Sequence, residues 1–228
     1  SLLGYDPQVS YTGRGPLEAE GSGIHMEPGM IGFRCNYATL DAQGQVVDRR
    51  AGRIHGTEPL SAAIQAGVDL SGMGVEFFFR SGAGHRAALA FRGKGLGDAV
   101  SSNDPKKDGV PPLPFRAIRD TPEDRKTAAA LAEFVRQAGA VLENQPVNRE
   151  RVCQGLAPAN TVLIRGPGKM GHLEPFPVRY GLQGCVISAA ALISGIGMAV
   201  GLPHVPVPGA TGSVNTDQGT TYRSLFSM

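Results

Sequence analysis

The sequence predicts an α/β fold, a mixed sheet with helices packed on it, and three observations carry that expectation. Short segments rich in strand formers alternate apolar and polar residues or run apolar throughout. Longer segments repeat their apolar positions with the 3.6-residue period of a helix. Turns bearing glycine, proline or Asx residues separate the two kinds. At 228 residues the chain is long enough for a sizeable core.

The elements follow in order. Alternation in IGFRCNYATL (31–40) predicts a strand, and QVVDR a second one after the turn DAQG, so the two form a hairpin. Thr57 and Pro59 start a helix with Leu60, Ala63 and Ile64 on one face, ending near Gly67. GVEFFFR (74–80) and RAALAFRG (86–93) are strands joined by the glycine-bearing turn SGAGH, a second hairpin. Residues 101–116, with several prolines and no period, read as a long ordered loop. A helix follows, with Thr121 as its cap, Pro122 in the first helical position and Asp124 three residues past the cap. Leu131, Phe134, Val135, Ala138, Val141 and Leu142 give it one apolar face. NTVLIRGPG (160–168) reads as a buried strand running into a glycine-rich loop.

The uncharged run 185–202, CVISAAALISGIGMAVGL, meets the length of a membrane span. Its Ala, Gly and Ser content and the following PHVPVPG favour a buried strand-to-helix element of the core instead. The glycines of GIGMAVG suit close helix packing better than a dinucleotide fingerprint, whose spacing they miss.

Composition narrows the function. Thirty-two glycines, about twice the usual share of roughly 7%, imply many turns and closely approaching backbones. A net charge of +2 gives no global field for nucleic acid or membrane, so any anion site must be local. Cys35, Cys153 and Cys185 are far apart and read as buried, reduced thiols. No secretory signal opens the chain, whose start, SLLGYDP, reads as though cut from something longer. Nucleophile elbow, zincin helix and P-loop motifs are all missing, and the histidines are isolated.

What remains is cationic. QVVDRRAGRI (45–54) sets Arg49, Arg50 and Arg53 within five residues. Arginine forks suit phosphate and carboxylate, and Gly52 lets the chain turn so that Arg53 can join Arg49 or Arg50 on one anion. The bland alternative pairs these arginines with acids such as Asp48 on a solvated face. His85 and Arg86 beside a glycine turn, and Asn103 with Asp104 in an Asx-Pro turn, are further candidates that ordinary turn chemistry would also explain. Arg34 and Arg165 stand open between internal salt bridges and ligand contacts.

Eight segments in one order then point to a family: LLGYDP, YTGRGPLEA, FRCNYATLD, DRRAGRI, GHRAALAFRG, NDPKKDGVPPLP, NTVLIRGPG and PGATGSVNTD. Over nearly its whole length the chain resembles the archaeal-type cofactor-independent (2,3-bisphosphoglycerate-independent) phosphoglycerate mutases. The resemblance implies an alkaline phosphatase-like catalytic domain with a serine nucleophile and two divalent metal ions, manganese or magnesium. An α/β cap is inserted into that domain.

This chain then corresponds to the cap, residues 23–205, between a flanking segment 1–22 and a return linker 206–228, with both ends emerging on one side. No catalytic residue and no metal ligand would lie in it, and alone it would be inactive. Arg49 and Arg53, then Arg50, then His85, Arg86, Asn103, Asp104 and Arg34 would line the phosphoglycerate cleft. The implied setting is a cytoplasmic glycolytic and gluconeogenic isomerase whose partners are phosphoglycerate and the parent domain, without nucleic acid or membrane. Two alternatives stand beside it, a non-catalytic anion-binding or interaction domain and the cap of a related phosphotransferase.

Overall fold

The computed structural model describes residues 3–207, and the PGATGSVNTD segment lies outside them. Seven helices and five strands alternate along this span: α1 (Pro7–Ser10), α2 (Arg14–Gly21), β1 (Ile31–Leu40), β2 (Val46–Asp48), α3 (Glu58–Gly67), β3 (Glu76–Ser81), β4 (Arg86–Arg92), α4 (Pro122–Glu143), α5 (Pro146–Cys153), β5 (Thr161–Lys169), α6 (Phe176–Tyr180) and α7 (Ala191–Ala199). The α/β architecture is as expected, and the named strands pair antiparallel throughout.

β1 is the axis of the sheet, between β4 and β5, with β3 beyond β4 and β2 folded back on its far end. Its alternation decides the faces. Ile31, Phe33, Cys35 and Tyr37 are fully buried in the main core, while Arg34 and Asn36 lie on the opposite face. α3 and α4 cover the core face. α2 packs on the other face against β1 and β5, and α7 packs on α2.

α4 starts as its cap predicts, with the Thr121 hydroxyl accepting from the Asp124 N–H at 3.2 Å. Asp124 does not complete a reciprocal capping box. Its buried carboxylate accepts from Arg119 Nε at 3.0 Å and from the Ala99 N–H at 3.1 Å, tying the preceding loop to the helix. Thr121→Ala should therefore cost about 1 kcal/mol, the usual value of a cap, seen as a lower urea midpoint at unchanged slope. An unchanged midpoint would show that Asp124 alone holds this end.

Two expectations are corrected. The glycines of NTVLIRGPG do not leave the sheet as a loop: Gly168 still pairs with Gly32, and Lys169 with Ile31. The reason is the close seating of α2, since a Cβ on Gly32 would stand 2.5 Å from Pro16 Cα and one on Gly15 would meet the Gly32 and Gly166 carbonyls. Only backbone fits there. The run 185–202 contributes one isolated bridge, Val186 to His204, and the helix α7, rather than a core strand. Its small residues hold a strand poorly. They serve instead a close helix crossing, where a Cβ on Gly195 would strike the Leu17 carbonyl and one on Gly21 the Ala191 carbonyl. Among the described residues no helix is long and apolar enough to cross a membrane.

Near the two described ends the chain comes together. Leu3 and Tyr5 share a cluster with Val200, Leu202 and Phe176, and the Tyr5 hydroxyl donates to the Glu174 carbonyl at 2.7 Å.

Candidate functional site

The sheet face beneath α2 carries the polar side chains that the core excludes. In register, Arg34 on β1 stands opposite Arg165 on β5, and Asn36 opposite Arg86 on β4. Directly opposed residues of an antiparallel pair share a face, so three guanidiniums and an amide project together, and like charges so placed repel. α2 adds Arg14 and Glu18. Glu18 accepts from Arg14 Nε at 2.9 Å, one helical turn away, and stands 3.7 Å from Arg34 Nε.

That last distance gives charge attraction without a hydrogen bond. Arg34 Nε is buried and has no hydrogen-bond partner among the described residues. Burial lowers the pKa of this guanidinium; Glu18 opposes the shift, and the charges of Arg165, Arg14 and Arg86 add to it. A buried donor without an acceptor costs of order 1–3 kcal/mol, and more when it is charged.

Asp104 anchors the adjoining half. Its side chain is 1% exposed, and its oxygens take four donors. Oδ1 accepts from Arg49 Nε at 2.8 Å and the Lys106 N–H at 2.9 Å; Oδ2 accepts from Arg49 Nη2 at 2.9 Å and Arg165 Nη1 at 2.8 Å. Burial would raise this carboxyl's pKa, but the bonds from Arg49 and Lys106 and the nearby arginine charges outweigh it and hold it below the usual range. Arg165 extends its other arm to Asn36; assigning that amide from its neighbours, so that no like groups face each other, lets its oxygen accept from Nη2 at 3.2 Å and its nitrogen donate to the Cys35 carbonyl at 3.0 Å. Arg14 and Arg34 flank Glu18, Arg49 and Arg165 share Asp104, and the charge of Arg86 acts on Arg34, so these five arginines outnumber the two paired carboxylates by three, with Asp108 acting on Arg49 through charge alone.

The residues expected from sequence divide accordingly. Arg34 and Arg86 belong to this face. Asp104 is saturated by its donors, so it anchors arginines instead of facing a ligand. Asn103 is placed inside: its buried amide donates to the Val162 carbonyl and accepts from the Ile164 N–H, stitching the 101–116 loop to β5. Arg49 gives Nε and Nη2 to Asp104, which leaves Nη1 as the arm of this guanidinium with no described partner. Arg50 and Arg53 are exposed, without a side-chain hydrogen bond or ion pair to another described residue. Asp48 pairs with none of the arginine side chains; its carboxylate accepts from the N–H groups of Arg50 at 2.7 Å and Gly52 at 2.6 Å.

His85 is pushed down to about 4 by burial first and then by the charges of Arg86, Arg50 and Arg34. It is therefore neutral at pH 7 and able both to donate and to accept. Sequence reasoning missed Arg14, Glu18 and Asn36 and left Arg165 open. The R-x-x-x-E spacing of Arg14 and Glu18 was the available signal, but nothing local tied it to β1. Among the described residues no group of three or more His, Cys, Asp or Glu side chains could hold a metal ion.

Fold and site together define an α/β domain with an arginine-rich sheet face of the kind suited to small polyanions. Residues 1–148 match the profile of the 2,3-bisphosphoglycerate-independent phosphoglycerate mutases. The chain is 66% identical to the protein of that description from Methanoculleus marisnigri over 99% of its own length and 55% of the relative's. It is 62% identical to that of Methanosphaerula palustris over 100% and 55%. A solved structure described as the cofactor-independent phosphoglycerate mutase of Thermoplasma acidophilum superposes with a TM-score of 0.72 at 36% identity, covering 91% of this chain and 55% of that one. The chain belongs to the 2,3-bisphosphoglycerate-independent phosphoglycerate mutase family and spans about half the length of these relatives.

Proposed function

We propose that this chain is the substrate-binding cap of a phosphoglycerate mutase that interconverts 3- and 2-phosphoglycerate through a phosphoserine intermediate. One observation carries the reading: a surplus of three guanidiniums on one sheet face, with a buried donor of Arg34 left unpaired. Phosphoglycerate bears a phosphate of about −1.5 to −2 and one carboxylate, close to a match for that surplus. Forks on a rigid sheet can hold the glycerate while it reorients and keep water from the phosphoryl group.

In this reading the serine and the two divalent metal ions belong to the part of the relatives that this chain does not cover. The cap would run from 23 to 205, with 1–22 and 206–228 leading to that half. The convergence of Leu3 and Tyr5 with Val200 and Leu202 suits two linkers leaving together. A cytoplasmic setting, with glycolysis and gluconeogenesis as its context, belongs to the same proposal.

The test is Arg34→Gln in the full-length enzyme. Loss of a charge-assisted contact worth about 1.5–3 kcal/mol should lower kcat/KM for 3-phosphoglycerate by about 10- to 100-fold. Turnover indistinguishable from the parent protein would remove this face from the site. Binding of phosphoglycerate without any turnover by the full-length protein would favour the non-catalytic alternative.

A further inference from the structure

The turn after β2 is strained in a way that the arginine count does not reveal. Ala51, Gly52 and Arg53 all have positive φ, at 46°, 63° and 54°. For the two residues with a Cβ this left-handed geometry costs about 1–3 kcal/mol each and persists only where the surroundings enforce it. Asp48 enforces one side through the N–H groups of Arg50 and Gly52.

The other side is held from far along the chain. Arg151, in the last turn of α5, donates from Nη2 to the Ala51 carbonyl at 3.0 Å and from Nε to the Ala157 carbonyl at 2.9 Å. Among the described residues no carboxylate pairs with it, so its fork is used on two main-chain oxygens. Gly52 lies against the guanidinium, where a Cβ would come within 3.0 Å of Nη2. The same Ala51 carbonyl also accepts the Ile54 N–H at 3.1 Å, and Ile54 is buried.

We propose that Arg151 is a positioning residue: it clamps the left-handed turn 51–53 and so fixes where the side chains of Arg50 and Arg53 stand. The proposal rests on the phosphoglycerate reading above. Arg151 touches no substrate. Its effect is to remove the alternative, relaxed conformations of a turn whose two arginine side chains are otherwise unpaired.

The experiment compares Arg151→Gln and Arg151→Lys with Arg34→Gln in the full-length enzyme, measuring KM and kcat for 3-phosphoglycerate and amide hydrogen exchange over residues 50–54. Arg151→Gln should raise KM by about tenfold with a smaller change in kcat, and speed exchange in that segment. Arg151→Lys, able to reach one carbonyl, should show an intermediate KM. If Arg151→Gln does not fold, Arg151→Lys alone decides. KM or exchange within about twofold of the parent in each variant that folds, with Arg34→Gln still impaired, overturns the clamp and leaves the site standing. A silent Arg34→Gln instead sinks the site, and the clamp with it.

Discussion

Asp104→Ala in the full-length protein should lower stability by about 3 kcal/mol and reduce kcat/KM by more than either arginine it holds would on its own. Removing one partner from a buried ion pair typically costs 3–5 kcal/mol. The lower end applies here because Arg49 and Arg165 keep 26% and 29% of their side chains exposed and can be partly rehydrated. The loss has a second component, because Oδ1 also holds the Lys106 N–H, and Lys106 is itself left-handed at a φ of 61°. Function suffers through Arg165, which faces Arg34 across the β1–β5 register and would swing free of its anchor. The measurements are a denaturant midpoint and initial rates on the same preparation. A stable variant with normal kinetics would show that Arg165 is aimed by Asn36 alone.

The pH behaviour has a definite sign. The native pKa of Asp104 is depressed, so its stabilising contribution is present above the unfolded carboxylate value and fades as pH falls through the native one. Acid unfolding of the parent should include this loss, and Asp104→Ala should flatten that limb of the stability curve.

Phe134→Ala should be the most damaging core substitution on α4, at about 3–5 kcal/mol. The ring is fully buried and is the hub of an aromatic cluster, with centroids 5.4 Å from Phe77, 5.6 Å from Phe79 and 6.2 Å from Phe91. It therefore joins α4 to both β3 and β4. Truncation leaves a hole bounded by rings on two paired strands, which cannot collapse without disturbing their register. Thermal unfolding would show a fall of well over 5 °C, since 1 kcal/mol shifts a domain of this size by about 2–4 °C. A loss below about 1 kcal/mol would mean that the strands close over the hole and that the aromatic cluster is less rigid than its geometry indicates. Because Arg86 stands at the other end of β4 from Phe91 and on the opposite face, activity should fall only as far as folding does.

The fold was legible where local period and tertiary demand coincide. β1 alternates because one face is core and the other polar, and α4 carries a cap, a proline and an apolar stripe that agree. The site was legible only in part. Density of arginines in DRRAGR drew notice, yet Arg49 answers to Asp104, 55 positions away, and Asp48 serves backbone N–H groups. The arginine face gathers residues 14, 34, 86 and 165 from four elements, and their meeting depends on strand register and on the seat of α2, neither of which is a local property. The left-handed geometry at Ala51 and Arg53 was likewise hidden, because only Gly52 advertises positive φ.

Where Gly15 and Pro16 of α2 meet Gly32 and Gly166 of the sheet, the contact is backbone on backbone, and this has a mechanical consequence. Backbone against backbone offers no rotamer to absorb a displacement, and packed interiors compress little. α7 bears on α2 through equally bare glycines, so helix, helix and sheet form a stiff train of parts. Its near end adjoins Arg34, so a Cβ added at Gly15 or Gly32 would have to lift α2, and with it Glu18, away from that guanidinium.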